Sequence, residues 1–267
     1  MVPAHRTAGT GPGMLLLHGI GSSSASFAHQ LDSLAEEFTL IAWDAPGYAA
    51  SPDPAEPVTL DGYVTAAGAV ARAALGPGPF HLVGVSWGGV IALRLAATHP
   101  ELVRSLTVIG ASLGSGTDPA RARQMRSRTA ELRRLGPQAF ARARAPRLLA
   151  PDAPAELVET ATRTMAEAIR LPGYGEAAES MASADLTADL PRITAPTLVL
   201  AGEHDTVTGP ERAREIAAGI RGAVLATIPG AGHLANQEQP DRVNDWLRRT
   251  ALATGPGHPP PPRPVHP

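Results

Sequence analysis

The segment Leu82-Val83-Gly84-Val85-Ser86-Trp87-Gly88-Gly89 constrains the fold of this 267-residue chain more than any other. An apolar run of strand length enters it, and Val90-Ile91-Ala92-Leu93-Arg94-Leu95-Ala96 leaves it at helical spacing. A strand that passes into a helix through Gly-x-Ser-x-Gly needs a sharp, strained turn at the serine. Side chains at positions 84 and 88 would collide with neighbouring chain, so glycine there lifts the Ser86 hydroxyl above the strand ends. The plain alternative is a Gly-rich turn with a solvent-exposed serine. The rest of the chain decides between the two.

Short apolar runs at 14–18, 40–43, 80–85, 105–109, 197–201 and 224–228 read as buried strands. Segments 25–37, 60–75, 88–98, 210–219 and 240–253 read as the helices between them. Such alternation predicts an α/β fold, with a mostly parallel central sheet covered by helices on both faces. In sheets of this kind the ligand sits beyond the carboxyl ends of the strands. Ser86, the turn after His18 and the turn after Ala201 all fall on that edge.

The rhythm breaks between residues 114 and 190, which read as helical throughout. This stretch is expected to be a helical cap, or lid, inserted over the strand ends. The predicted organisation is a core of residues 1–113 and 191–253, a cap of 114–190, and a Pro-rich tail of 254–267. That tail, with four consecutive prolines, cannot build a packed core and is expected to be disordered.

Balanced charge, formally −2, gives no general attraction to nucleic acid or a membrane surface. The absence of cysteine excludes thiol catalysis, disulfides and Cys-ligated zinc. Residues 1–13 lack the apolar core of a signal peptide, and no apolar run approaches about 18 residues, so a cytoplasmic location is expected. No His-Glu-x-x-His spacing suggests a metal, and no interleaved aromatics suggest base stacking; neither metal, cofactor nor nucleic acid is expected.

All 23 basic residues are arginine, and nine lie between Arg121 and Arg147. Only Asp118 and Glu131 offset them within the first half of the cap. One reading is a solvated helix face in an Arg-biased protein. The other is a positive lid that attracts a carboxylate-bearing substrate.

A serine hydroxyl becomes a useful nucleophile only when an oriented base takes its proton. Pro229-Gly230-Ala231-Gly232-His233 follows the last strand and places an imidazole at the correct sheet edge. Gly202-Glu203-His204-Asp205 follows the strand before it, so Asp205 can reach the far nitrogen of His233. Any one of these residues could be structural; the three in this order, each just past a strand, argue for a catalytic triad. His18-Gly19-Ile20-Gly21 follows the first strong strand. The Ile20 and Trp87 backbone N–H groups are the expected oxyanion donors, with His18 and Gly19 supporting their loop.

On these motifs the chain resembles α/β-hydrolase-fold proteins over residues 10–250. Trp43-Asp44-Ala45-Pro46-Gly47-Tyr48 resembles a further family turn, in which Asp44 is structural. Within the superfamily, Leu17-His18-Gly19-Ile20-Gly21 and His233-Leu234-Ala235-Asn236-Gln237-Glu238-Gln239-Pro240 look most like 3-oxoadipate enol-lactonases and small esterases. The resemblance implies that the cap follows the sixth strand of the fold. It also implies hydrolysis of a small ester or lactone, through an acyl-enzyme on Ser86.

Three departures stand out. Relatives carry two antiparallel strands before the His-Gly loop, so the first hairpin is expected to be missing or reduced here. Ala49 stands where glycine is common, and Trp87, where lactonases often have Met, is expected to narrow the pocket. Two other chemistries stay open: carbon–carbon hydrolysis of a vinylogous diketone, and a non-hydrolytic lyase or cyclase using Ser86 and His233 as acid and base. Dehalogenation on this fold uses a carboxylate where Ser86 stands and is disfavoured.

Overall fold

The computed structural model describes residues 2–253; the proline-rich tail expected to be disordered lies outside them. From the N-terminus, β1 (His5–Ala8) and β2 (Gly13–Leu17) lead into a 3₁₀ turn and α1 (Ala28–Ser33). Next come β3 (Thr39–Trp43), α2 (Leu60–Leu75), β4 (Phe80–Val85), α3 (Trp87–Thr98) and β5 (Val103–Ile109). Three cap helices follow, α4 (Pro119–Arg144), α5 (Ala155–Ala168) and α6 (Gly173–Ser183). The chain then returns through β6 (Thr197–Gly202), α7 (Gly209–Gly219), β7 (Val224–Ile228), α8 (Ala235–Glu238) and α9 (Pro240–Leu252).

The seven strands form one sheet in the order β1-β3-β2-β4-β5-β6-β7, parallel except for β1. Side chains alternate across it, so Leu15 and Leu17 of β2 enter one buried cluster while Met14 and Leu16 enter the other. The first cluster also takes residues of α2, α3, α7 and the cap; the second takes residues of α1, α8 and α9. Helices therefore cover both faces, as the alternation requires.

Strand β1 has no counterpart in the sequence reading. Its four residues are largely exposed and carry no apolar alternation; pairing with β3 defines it. One antiparallel strand thus precedes the His-Gly loop among the described residues. The cap accordingly leaves after β5, the fifth strand counted along this chain. The predicted helix 25–37 is also shorter than expected. Ser23 caps a 3₁₀ turn there, and the Ser24 N–H is taken by Asp44 Oδ1 at 2.8 Å, which holds this loop outside the helix.

Chain order sets the position of the site. From β2 the chain steps to β3 on one side, then crosses to β4 on the other, so β2 and β4 are neighbours with oppositely running connections. Their carboxyl ends flank the crevice at which doubly wound sheets bind ligands. The loop after β2 holds Gly19 and Ile20, and the turn after β4 holds Ser86.

Candidate active site

Ser86 takes φ 53° and ψ −115°, a conformation that costs roughly 1–3 kcal/mol outside glycine. Its N–H donates to Ile109 O at 2.8 Å, tying the turn to β5. A Cβ at Gly84 would be driven into the Gly88 carbonyl, and one at Gly88 into the backbone of Leu17 and His18. Glycine is required at both positions because strand, turn and neighbouring loop meet without room for a side chain.

Ser86 Oγ–H donates to His233 Nε2 at 2.9 Å, and His233 Nδ1–H donates to Asp205 Oδ2 at 2.9 Å. His233 and Asp205 are buried, while Ser86 keeps access to a cavity. Burial alone would raise the Asp205 pKa. Hydrogen bonds and charge from His233, together with hydrogen bonds from Thr208, outweigh it and hold the carboxylate well below its usual range. Oδ1 accepts the N–H groups of Val207 and Thr208, and Oδ2 accepts Thr208 Oγ1–H at 2.7 Å. The sequence reading missed Thr208. An aspartate followed by residues whose amides fold back onto it is an Asx-turn signature, legible in Asp205-Thr206-Val207-Thr208.

Two peptide planes face the same crevice. The Gly19 carbonyl accepts His18 Nδ1–H at 2.8 Å and Ser22 N–H at 3.1 Å. Because a trans peptide sets C=O and N–H on opposite sides, pinning Gly19 C=O turns Ile20 N–H the other way. The Ser86 carbonyl accepts from Gly89 and Val90, which does the same for Trp87 N–H. Neither Ile20 N–H nor Trp87 N–H has an acceptor among the described residues. Two oriented, unsatisfied amides beside a serine hydroxyl are suited to a developing negative charge.

His18 is fully buried. Its Nε2 accepts the Ala45 N–H at 3.0 Å, so Nδ1 must carry the proton that reaches Gly19. Burial lowers its pKa to about 4, against weaker opposing contributions from the Gly19 carbonyl and Asp44, and the ring stays neutral. Asp44 itself accepts backbone N–H groups from Ser24 and Ala50, a structural arrangement.

The Trp87 indole does not narrow the pocket as expected. It is fully buried beside Tyr63, ring centroids 4.7 Å apart, and donates Nε1–H to Ser180 Oγ of α6 at 3.0 Å. The residue after Ser86 is the first of α3, and its side chain turns back into the apolar layer beneath the cap. Ala49 adopts φ 41°, with its N–H bonded to Ala168 O of the cap.

A cavity of about 470 Å³ lies over Ser86 and His233, walled in part by residues of α4, α5 and α6. Five arginines line it, Arg121, Arg128, Arg144, Arg147 and Arg212, and no aspartate or glutamate does. Its apolar wall includes Met125, Met165 and Met181 along with Ile20, Leu148 and Leu234. The remaining cap arginines between 121 and 147 lie outside this wall; Arg126, for example, pairs with Glu179 at 2.8 Å.

The sequence profile of the alpha/beta hydrolase family matches residues 14–246, and the chain belongs to that family. It is 29% identical to the pyrrolizixenacetamide deacetylase of Xenorhabdus hominickii, over 92% of each chain. It is also 29% identical to 3-oxoadipate enol-lactonase 2 of Acinetobacter baylyi, over 87% of this chain and 86% of that one. A thermophilic esterase from Thermogutta terrifontis, solved with malate bound, superposes with a TM-score of 0.84 at 28% identity, over 93% of each chain. Among the described residues no helix is long and apolar enough to cross a membrane.

Proposed function

We propose that this chain is a serine hydrolase that cleaves a small carboxylic ester or lactone through an acyl-enzyme on Ser86. The hydrogen-bonded series Ser86–His233–Asp205 beneath a cavity under the cap carries the reading. Ser86 Oγ attacks the carbonyl carbon while its proton passes to His233 Nε2. Asp205 holds the ring in the tautomer that leaves Nε2 free, and stabilises the imidazolium that forms. The oxyanion takes hydrogen bonds from Ile20 and Trp87 N–H. His233 then returns the proton to the leaving alkoxide. Water, deprotonated by the same nitrogen, attacks the acyl-enzyme, and collapse of that second tetrahedral intermediate frees Ser86.

The proton transfers use the Ser86–His233 and His233–Asp205 hydrogen bonds already formed. The similar deacetylase, enol-lactonase and esterase support acyl transfer as the reaction class. Intact-mass analysis after exposure to a small fluorophosphonate tests the reading. One adduct is expected on the wild type and none on Ser86→Ala. An unlabelled wild type that is folded, or an adduct that persists in Ser86→Ala, would overturn it and favour acid–base lyase or cyclase chemistry.

A further inference from the structure

The cavity wall is electrostatically one-sided. Along α4, residues Arg121, Gln124, Met125 and Arg128 line it at i, i+3, i+4 and i+7, a single face of the helix. The helix kinks at Gly136 (φ 72°, ψ 164°), and the segment beyond it brings Arg144 to the same wall. Arg144 lies 5.2 Å over the Phe140 ring, which fixes its direction.

These arginines are not equally compensated. Arg121 is exposed and pairs with Asp118 at 3.3 Å, and Arg212 pairs with Glu215 at 2.6 Å. Arg144 reaches Glu131 at 3.3 Å. Arg128 forms no ion pair among the described residues; its side chain has Tyr174 as a hydrogen-bond partner, and its Nε is buried without one. Burial, followed by the neighbouring Arg144 charge, pulls the Arg128 pKa below its usual value. A half-buried guanidinium beside a second one, with its Nε buried and unpaired, costs free energy unless something compensates it. An anion entering the cavity would meet the unpaired Arg128 charge and add to the single carboxylate partner of Arg144.

We propose that Arg128 and Arg144 form an anion-binding subsite of the cavity above Ser86, and that the substrate is an ester or lactone bearing a carboxylate. The identity of the cleaved bond rests on the hydrolase reading above; the binding of the anion does not. Planar forks on two guanidiniums suit a carboxylate, which accepts paired N–H groups along one edge. The carboxylate anchors the far end of the substrate, and its carbonyl is presented to Ser86.

Two measurements decide the matter. In the first, adipate and its neutral analogue adipamide are added at equal millimolar concentration, at constant ionic strength, and thermal unfolding is followed. Adipate is expected to raise the wild-type Tm and adipamide to leave it unmoved. The shift should be lost in Arg128→Gln and in Arg144→Gln, and partly kept in Arg128→Lys.

In the second, hydrolysis of mono-4-nitrophenyl adipate is compared with that of 4-nitrophenyl hexanoate, which matches it in length without the charge. The anionic ester is expected to be favoured in kcat/KM by about ten- to a hundredfold, the range of charge-assisted hydrogen bonds. The preference should lie mainly in KM and fall at least tenfold in the glutamine variants. Equal cleavage of the two esters with no adipate shift would overturn the subsite and leave the hydrolase reading intact. An adipate shift without cleavage of either ester would uphold the subsite and overturn the hydrolase. A shift that survives in both glutamine variants would show that the anion binds elsewhere.

Discussion

In the proposed mechanism, residues that never touch substrate set much of the chemistry. His18 holds the Gly19 carbonyl and thereby aims the Ile20 amide of the same peptide plane, while the first turn of α3 aims the Trp87 amide through the Ser86 carbonyl. Asp205 is held by Val207 and Thr208 from one side and bonded to His233 on the other. Its depressed pKa keeps it ionised throughout the range in which an imidazole can act as base. Asp205→Asn preserves the shape but presents an amide to Nδ1, which favours the tautomer with its proton on Nε2. Steady-state kinetics should then show kcat reduced by about 10⁴-fold, the loss found when a triad aspartate is amidated, with KM little changed.

Among the secondary-structure elements, the cap is joined to the histidine loop through backbone contacts. The N–H groups of His233 and Leu234 both donate to Leu148 O in the cap. Glu238, at the end of α8, accepts the Ala150 N–H at 2.6 Å and the Gly232 N–H at 2.9 Å. Burial raises its pKa, and the backbone amides only partly counter this. Placement of the His233 imidazole therefore depends on the cap being seated. Glu238→Ala leaves two largely buried amides without an acceptor, at about 1–3 kcal/mol each. The variant should lose several degrees in Tm, and kcat should fall more than KM rises, because the loop holding His233 loosens while the cavity wall persists. Glu238→Gln, which retains one acceptor oxygen, should fall between the two. A Glu238→Ala enzyme with wild-type kcat would separate the cap from base positioning.

For the molecule as a whole, acid sensitivity follows from histidines folded into it uncharged. Burial takes both His18 and His81 from 6.5 to about 4; His81 lies against Ser105 Oγ at 2.8 Å, with Arg104 adding repulsion. Between those values the unfolded chain binds more protons than the folded one, so stability must fall as pH drops from about 6.5 to about 4. For His81 the change is on the order of 3 kcal/mol. Thermal unfolding measured from pH 7 to pH 4 should show this decline, and His81→Asn should make it shallower. An unchanged slope in that variant would mean that His81 is protonated in the fold.

Local sequence determined the core strands and helices of this protein, since 3.6- and 2-residue periodicities survive in any context that buries one face. It also placed Ser86, Asp205 and His233 each at the end of a strand, because turn glycines mark those ends. Tertiary structure decided what distant segments do to one another. Pairing with β3 made a strand of exposed His5–Ala8, and an apolar layer under the cap drew the Trp87 indole away from the cavity. Glu238 joined the histidine loop to the cap only when segments distant in sequence met. Nine cap arginines are alike in sequence, and only the helix face and the kink at Gly136 determine that Arg128 and Arg144 share the cavity wall. Periodicity sets which side of a helix faces inward, but what it faces depends on the packing of the whole chain.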